Sequence, residues 1–513
     1  MQAGQISGSK AGITAAVMCA ALMAVIDISI VNVALSDIRA SFGTPLDQIA
    51  WVSTGYMMAN VIVIPLTGWL QRRFGFRKYY TASILMFVTA SALCGVAWNL
   101  PSLVVFRILQ GCGGGAIIPT SQAILFSRYP KEEHGMAGAL FGIGAMCGPL
   151  LGPTLGGYLI DIWNWHWIFL INVPVGLGAA FLAWRYVEEP GYKKVDVKVD
   201  RFGLGLLIVG MASLQYVLEE GNRNDWFEDP SILVCSILAF IALTTFIVHE
   251  METPEPIVDL RVFSNRSYTA ATGVNFLLGT ALFAGSFMLS LYLGTIMHYS
   301  ALDIDVLFLK GSFIQLALMP LIGKFGGKLD ARLMIGFGVL MNCLSLWLNG
   351  HLTNQSSEWL LIQPLLVRSI GMCFIFVPLS VVALSDLAPN KRGSATGLFN
   401  LTRELGGSIG TAWMSTMLNH RTASAYEYLS ENVSKLNPIA REQLQSTQQG
   451  MGWKFTDPEA GALSILKMRI SGQALIQAFN YSYVVLVMVF ILSIGLVLLF
   501  KKPQPGVKVE GAH

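Results

Sequence analysis

Charged residues are scarce in this sequence. Of its 513 residues only 13% are Asp, Glu, Lys or Arg, whereas 54% are hydrophobic; an average soluble domain carries about 25% charged residues. The apolar residues fall in runs of about 20, the length that a helix needs to cross a hydrocarbon core of roughly 30 Å. This composition excludes an ordinary soluble protein and predicts an all-α polytopic membrane protein.

Several signatures of catalysis and of nucleic-acid binding are also missing. The sequence contains no GxxxxGK[ST] phosphate loop, and its seven histidines are scattered without metal-ligand spacing. All seven cysteines lie within apolar runs, so no disulfide framework is expected outside the membrane. The net charge is only +3, and the basic residues are concentrated in the loops predicted on one side of the membrane. This charge therefore does not indicate a nucleic-acid-binding surface. The sequence therefore predicts no enzyme, no metal site and no nucleic-acid partner.

The apolar runs predict fourteen transmembrane spans. The segments on one predicted side hold 22 of the 34 Lys and Arg residues, while the short loops on the other side hold only Arg39 and Arg223. Because basic loops are retained in the cytoplasm, both termini are predicted to be cytoplasmic. One long segment, residues 419–478, is predicted to lie outside.

An internal repeat appears at an ungapped offset of 259 residues, with Arg73 recurring as Arg332 and Pro119 as Pro378. Chance matches among common residues are the alternative. This offset spans eight predicted helices. Two six-helix bundles separated by an inserted helix pair produce that number, because six plus two helices separate equivalent positions. Parallel repeats of six helices are typical of transporters, with the substrate site between them. The predicted domains are a first bundle (1–187), an inserted pair of spans 7 and 8 with its linkers (188–266), and a second bundle that includes the long outside loop (267–513).

Five motifs stand out in the spans and loops, namely DISIVNVAL (27–35), GWLQRRFGFRK (68–78), RILQGCGGG (107–115), GAMCGPLLGPTLGG (144–157) and NWHWIFLINVPVG (164–176). They resemble those of the major facilitator superfamily, in its fourteen-span drug:proton antiporter branch of EmrB-type multidrug efflux subunits. The resemblance covers nearly the whole chain. Two positions depart from it: Arg72 stands where the loop motif usually has an acid, and His166 where an arginine is common.

The resemblance implies a major facilitator fold in a bacterial cytoplasmic (inner) membrane. It implies that the proton motive force drives the protein and that no cofactor is needed. It also implies a periplasmic membrane-fusion adaptor and an outer-membrane channel as partners. Residues 419–478 are the candidate docking segment, with a lid or a flexible linker as alternatives.

Asp27 interrupts the first apolar run. A charge near the centre of a membrane helix costs at least about 2.5 kcal/mol, so this residue needs a partner or a function. Arg107 in span 4 lies at a similar depth, and the resemblance places spans 1 and 4 in one bundle. Two interpretations remain open: a structural ion pair, or a titratable Asp27 whose proton affinity depends on Arg107.

The second half also contains charges within its spans. Glu404, beside Arg403 in span 13, is a further candidate for proton coupling, with a local salt bridge as the alternative. Arg368 lies too deep in span 12 to reach the surface easily, whereas Lys310 in span 10 could extend to it. The candidate residues of the substrate cavity are Asn32, Gln110, Lys310, Arg368 and Arg403.

Glycines recur every fourth residue in span 5, from Gly144 to Gly156. They form a smooth helix face on which another helix can lie closely, and the prolines between them favour a bend. Tight packing alone is one interpretation, whereas the resemblance favours a bent helix at the bundle interface that opposes leakage. The predicted packing and conformational residues are Gly68, Arg73, Gly75, Gly144, Gly148, Pro149, Gly152, Pro153, Gly156 and Gly157.

The leading functional prediction is a proton-driven antiporter that exports hydrophobic or amphipathic drugs and other toxic compounds. A dedicated metabolite or siderophore exporter is the alternative within transport. A membrane scaffold or sensor that does not transport is the alternative from another class. Charges within the spans of both halves favour transport.

Overall fold

A computed structural model describes residues 3–130, 133–187, 199–325, 329–384, 387, 389–431, 433, 438–451 and 458–500. The described residues contain fourteen helices of at least 15 residues and no strand. These helices are α1 (Ala3–Phe42), α2 (Trp51–Phe74), α3 (Phe76–Cys94), α4 (Leu100–Arg128), α5 (His134–Ile162), α6 (Asn172–Tyr186), α7 (Arg201–Glu220), α8 (Pro230–Glu252), α9 (Arg266–Thr295), α10 (Ala301–Phe325), α11 (Ala331–Asn349), α12 (Glu358–Leu384), α13 (Pro389–Glu431) and α14 (Pro458–Val497).

The long helices coincide in number and order with the fourteen predicted spans. Ten described helices are long and apolar enough to cross a membrane by composition alone. The other four long helices (α2, α3, α5 and α13) lie between them along the chain. The prediction of an all-helical membrane fold is therefore confirmed.

The predicted outside segment contains helices. In its described part, α13 continues to Glu431, a separate helix covers Pro438–Met451, and α14 begins at Pro458. The segment is rich in Ala, Glu, Gln and Leu, which are strong helix formers.

The helices form two bundles and an inserted pair. Helices α1 to α6 pack on one another, and helices α9 to α14 do the same. Helices α7 and α8 pack together, and α7 also contacts α2 and α13. The inserted pair thus lies beside the junction of the two bundles rather than within either of them.

Side-chain caps define where several helices begin. Asn99 accepts a hydrogen bond from the backbone N–H of Ser102, in a reciprocal capping box at the start of α4. Asp200 and Asp229 accept backbone N–H groups at the starts of α7 and α8. These oxygens satisfy donors that the first turn of a helix leaves unpaired, so they fix the helix boundaries near the membrane surface.

Helices α2 and α13 join the two bundles at the end that the predicted orientation places in the cytoplasm. A Cβ atom on Gly68 would overlap Ser394, so the two backbones lie in close contact. Arg72 donates to Ser394 Oγ at 2.8 Å and to the carbonyl of Pro256 at 3.2 Å. The arginine that replaces the usual acid therefore connects the first bundle to α13 and to the segment after α8.

The glycine ladder of α5 packs inside the first bundle. A Cβ atom on Gly148 would lie 2.7 Å from the backbone carbonyl carbon of Val25 in α1. Ser29 Oγ donates to the carbonyl of Gly148 at 2.8 Å, and Gly152 and Gly156 also face α1. The ladder thus holds α5 against α1, where the resemblance favoured the bundle interface.

Other glycines of α5 form the contact with the second bundle. Gly135 lies against Gly323 and Gly142 against Met319, both in α10, and near the other end Gly157 contacts Leu302. Helix α5 remains continuous through its prolines, although the side chain of Pro149 lies outside the described residues. One helix therefore serves two interfaces with different glycines.

Candidate functional site

Asp27 is completely buried inside the first bundle and is surrounded by donors. Arg107 Nη1 lies 2.7 Å from Asp27 Oδ2. The other carboxylate oxygen accepts from Gln110 Nε2 at 2.8 Å and from Asn172 Nδ2 at 2.7 Å. Three side chains from α4 and α6 therefore hold one carboxylate of α1, as a buried charge requires.

Arg107 is equally well surrounded. Its side chain is 1% exposed, and its Nε donates to the backbone carbonyl of Val52 at 3.1 Å. Its Nη1 also donates to Gln110 Oε1 at 2.7 Å, and its guanidinium lies 4.3 Å from the centre of the Tyr56 ring. Helix α2 thus contacts the ion pair through both its backbone and an aromatic ring.

Sequence reasoning missed Ser91 and Asn172 in this network. Ser91 Oγ accepts from Gln110 and from Asn172, each at 3.1 Å, and donates to the carbonyl of Phe169 at 2.9 Å. Asn172 falls inside the NVPVG motif and could have been suspected as a polar residue in an apolar helix. No pattern distinguishes Ser91 from the other small residues of α3.

Asn32 lies away from this network. It is exposed, and its Oδ1 is 3.5 Å from Ser53 Oγ. Five residues along a helix correspond to a rotation of about 140° from Asp27, so the two side chains point to different sides of α1. Its predicted role in a substrate cavity stays a prediction.

The second bundle contains a related arrangement with a neutral partner. Arg368 Nη1 donates to Ser286 Oγ at 2.8 Å, and the guanidinium lies 5.4 Å from the ring centre of Phe308. Ser286 stands at the repeat position of Asp27. Among the described residues no carboxylate lies within 4.0 Å of Arg368, so this half-buried charge is bound by a hydroxyl and an aromatic face.

Arg403 and Glu404 belong to a polar chain between the bundles. Arg403 Nη2 lies 3.8 Å from Glu404 Oε1 and donates to Asn400 Oδ1 at 3.1 Å. Asn400 Nδ2 in turn donates to Gln122 Oε1 of α4 at 2.7 Å. The local salt bridge thus exists but is long, and Arg403 is also directed toward the bundle contact.

A cavity of about 300 Å³ lies between α2, α7, α9 and α13, in the half of the molecule that the predicted orientation places outside. Glu404 reaches this cavity, and so does Glu219 at the end of α7. The remaining lining residues are Met57, Val61, Gln215, Leu218, Asn222, Arg223, Phe283, Phe287, Gly407, Ser408, Thr411, Ala412 and Ser415. The contribution from an inserted helix was not predicted.

The remaining predicted residues lie outside the buried networks, and Lys310 extends from α10 toward the start of α12. Lys310 Nζ is 2.5 Å from Glu358 Oε1, and both side chains are about half exposed. Arg73 lies over the Trp69 ring at 5.3 Å from its centre, and Gly75, with φ of 80°, separates α2 from α3. Only glycine adopts that backbone conformation without strain. No group of three potential metal ligands occurs in the part of the chain that the structure describes.

Residues 17–411 match the family model of the Major Facilitator Superfamily. The chain belongs to the Major Facilitator Superfamily. It is 32% identical to the multidrug export protein EmrB of Haemophilus influenzae, over 96% of each chain. It is 33% identical to the Escherichia coli protein of the same name, over 98% of this chain and 97% of that one.

A solved structure of the same architecture is similar to the whole chain. The human organic anion transporter MFSD10 superposes with a TM-score of 0.61 at 13% identity, over 95% of this chain and 99% of that one. At that identity the likeness concerns the fold alone. It agrees with the Major Facilitator Superfamily fold that the sequence resemblance implied.

Proposed function

We propose that this protein is a proton-driven antiporter that exports hydrophobic or amphipathic compounds across a bacterial cytoplasmic membrane. The observation that carries the proposal is the pair of carboxylates within the membrane. Asp27 is enclosed with Arg107 in the first bundle, and Glu404 faces a cavity at the junction with the second. Relatives named as multidrug exporters over nearly the full length support the substrate class.

The arrangement offers a physical route for coupling. Helix α2 accepts the Arg107 Nε–H at Val52 and places Tyr56 over the guanidinium, while its next residue, Met57, lines the cavity. A compound that displaces α2 therefore acts on the Asp27–Arg107 pair. Separating Arg107 from the carboxylate would favour protonation of Asp27. Uptake and release of this proton would then alternate with binding and release of the compound.

A transport assay tests the proposal. The purified protein is reconstituted into vesicles with an acidic lumen and offered ethidium, N-phenylnaphthylamine and a fluorescent fatty acid. We expect at least one probe to accumulate, and nigericin to abolish its accumulation, since nigericin removes the pH gradient without acting on the carrier. Accumulation that persists after collapse of the gradient, or no accumulation of any probe relative to protein-free vesicles, would contradict the proposal.

We further propose that an adaptor protein docks on the outside segment 419–478. The helix Pro438–Met451 packs against α14, so the described part of the segment forms a structured projection rather than an extended strand of chain. Its charged and amide side chains are mostly exposed. Such a surface suits a polar protein partner better than lipid.

Replacing residues 425–470 by a short Gly-Ser linker separates docking from lid function. We expect membrane insertion and transport in vesicles to persist, because the polar connections of Asp27 and Glu404 lie elsewhere. Whole-cell resistance should fall to the level of a strain that lacks the transporter. Unchanged resistance would exclude docking, and an equal loss in vesicles would instead indicate a lid.

A further inference from the structure

The inserted helix α7 forms a wall of the cavity although it belongs to neither bundle. Its Tyr216 ring stacks on Trp51 of α2 at 6.0 Å between centres. On the other side, Asn222 Nδ2 donates to Ser415 Oγ at 2.8 Å and Trp226 Nε1 to Thr416 Oγ1 at 2.9 Å, both in α13. Helix α7 and its following turn therefore bridge the outer halves of α2 and α13, where these helices separate.

Two carboxylates face this open cavity from opposite elements, and Glu219 is exposed. Glu219 projects from α7 and Glu404 from α13. The adjacent Arg223 has its Nη1 3.6 Å from Glu220 Oε2, which offsets the charge of that third acid. Arg403 Nη2 lies 3.8 Å from Glu404 Oε1, so the three acids at this wall outnumber the two arginines beside them by one.

A buried acceptor of the same wall lacks a partner. Gln215 is 1% exposed, and its Nε2 donates to Glu219 Oε1 at 2.9 Å and to Ser408 Oγ at 3.2 Å. Its Oε1 has no hydrogen-bond partner within the described structure. A buried carbonyl oxygen without a partner costs free energy, and a ligand that donates an N–H group would satisfy it.

The opposite wall is apolar and aromatic. Phe283 and Phe287 lie one turn apart on α9, and Met57 faces the cavity from α2. Aromatic faces bind both apolar groups and cations, while methionine adapts to varied shapes. The cavity therefore presents negative charge and an N–H acceptor on one side and a ring-binding surface on the other.

We propose that this cavity binds a protonated primary or secondary amine that carries an apolar tail, with Glu219 of α7 as a partner of its ammonium group. Gln215 accepts an ammonium N–H, and the tail packs on Phe283 and Phe287. The inference rests on the proposed export function and extends it, since it names a substrate class and assigns part of its recognition to the inserted helix pair.

Binding to the full-length protein in lipid nanodiscs tests this proposal. The probes are 6-phenylhexylamine, its N,N,N-trimethyl derivative and 6-phenylhexanoate, which share a tail and differ in charge or in N–H groups. Titration calorimetry, corrected with empty nanodiscs, gives each affinity. We expect the amine to bind roughly tenfold more tightly than the trimethyl derivative, since one satisfied hydrogen bond to a charged group contributes about 1.5 kcal/mol. The anion should bind more weakly than either.

Variants of Glu219 and of a control glutamate test which carboxylate binds the ammonium group. We expect Glu219→Gln to weaken amine binding roughly tenfold and Glu219→Asp to restore part of it. Glu228→Gln removes an exposed carboxylate from the same outer turn and should have no effect, so it is the matched control. Equal affinities of wild type and Glu219→Gln, or preference for the anion, would overturn the inference.

The two proposals fail in different ways. Loss of amine binding in Glu219→Gln, with no uphill transport of any compound by the wild type, would support the site and refute the antiporter. If the wild type shows proton-driven transport and its amine affinity equals that of Glu219→Gln, the amine site is refuted and the antiporter proposal is retained.

Discussion

Asp27→Asn abolishes uphill export in vesicles with an acidic lumen while downhill flux of the same probe persists: that is the expected result. Asparagine keeps the size of the side chain and can still accept from Gln110 or Asn172, but it cannot exchange a proton at neutral pH. A gradient of one pH unit supports up to about tenfold accumulation for each exchanged proton. The variant should lose this accumulation entirely.

The ion pair complicates that experiment, because the variant leaves Arg107 charged and buried. Removing one partner of such a pair costs roughly 3–5 kcal/mol of stability, although Val52, Gln110 and Tyr56 still contact the guanidinium. The double variant Asp27→Asn/Arg107→Gln removes both charges. If Asp27 only anchors Arg107, the double variant recovers uphill export; if Asp27 carries the proton, it stays uncoupled.

A carboxylate of the same helix provides the matched control. Asp37 is exposed near the outer end of α1, so Asp37→Asn should transport like the wild type. Full uphill export by Asp27→Asn would show that the buried carboxylate is structural. The coupling role would then pass to Glu404, whose replacement by Gln should abolish accumulation instead.

Gly148→Leu should remove most of the folded protein. The added side chain would meet the backbone of α1 at Val25, which cannot rotate away as a side chain can. Overpacking typically costs about 1–3 kcal/mol and occasionally more, and here it would also displace the helix that carries Asp27. Fluorescence-detected size exclusion should show a small monodisperse peak and a lowered melting temperature.

Gly178 in α6 provides a control that adds the same leucine side chain away from a close helix contact. Apart from its chain neighbours and its own helix backbone, no atom lies within 4 Å of a Cβ built there, so the side chain of Gly178→Leu would project into open space at the protein surface. We expect a yield and melting temperature close to those of the wild type. Similar behaviour of the two leucine variants would show that the contact between α5 and α1 is not close-packed.

The sequence predicted the helices and one ion pair because both depend on strong local rules. Twenty-residue apolar runs have few alternatives in a bilayer, and a buried aspartate needs a nearby cation. Asp27 and Arg107 could therefore be paired once the family order of spans was assumed. Gln110 was predicted for the substrate cavity, whereas the structure places its buried side chain in the network around Asp27 and Arg107.

The rest of the site depends on packing between distant helices. Ser91, Asn172 and Glu219 come from three different elements, and a lone polar residue has no periodicity that shows its partner. The same is true of the glycine ladder of α5. A smooth helix face predicts that another helix packs closely on it, but the sequence does not show which helix that is. The partner α1 and the second set of glycines toward α10 required the tertiary structure.

The contact between α2 and α13 has a pharmacological consequence. On the predicted orientation, Gly68, Arg72 and Ser394 hold α2 and α13 together in the cytoplasmic half of their interface. The cavity with Glu219 and Glu404 lies in the outer half. A molecule that fills the cavity in this arrangement would hold the two inner halves together and stop the cycle. An inhibitor of this kind would reach its site from the periplasm, without crossing the cytoplasmic membrane and without first becoming cargo.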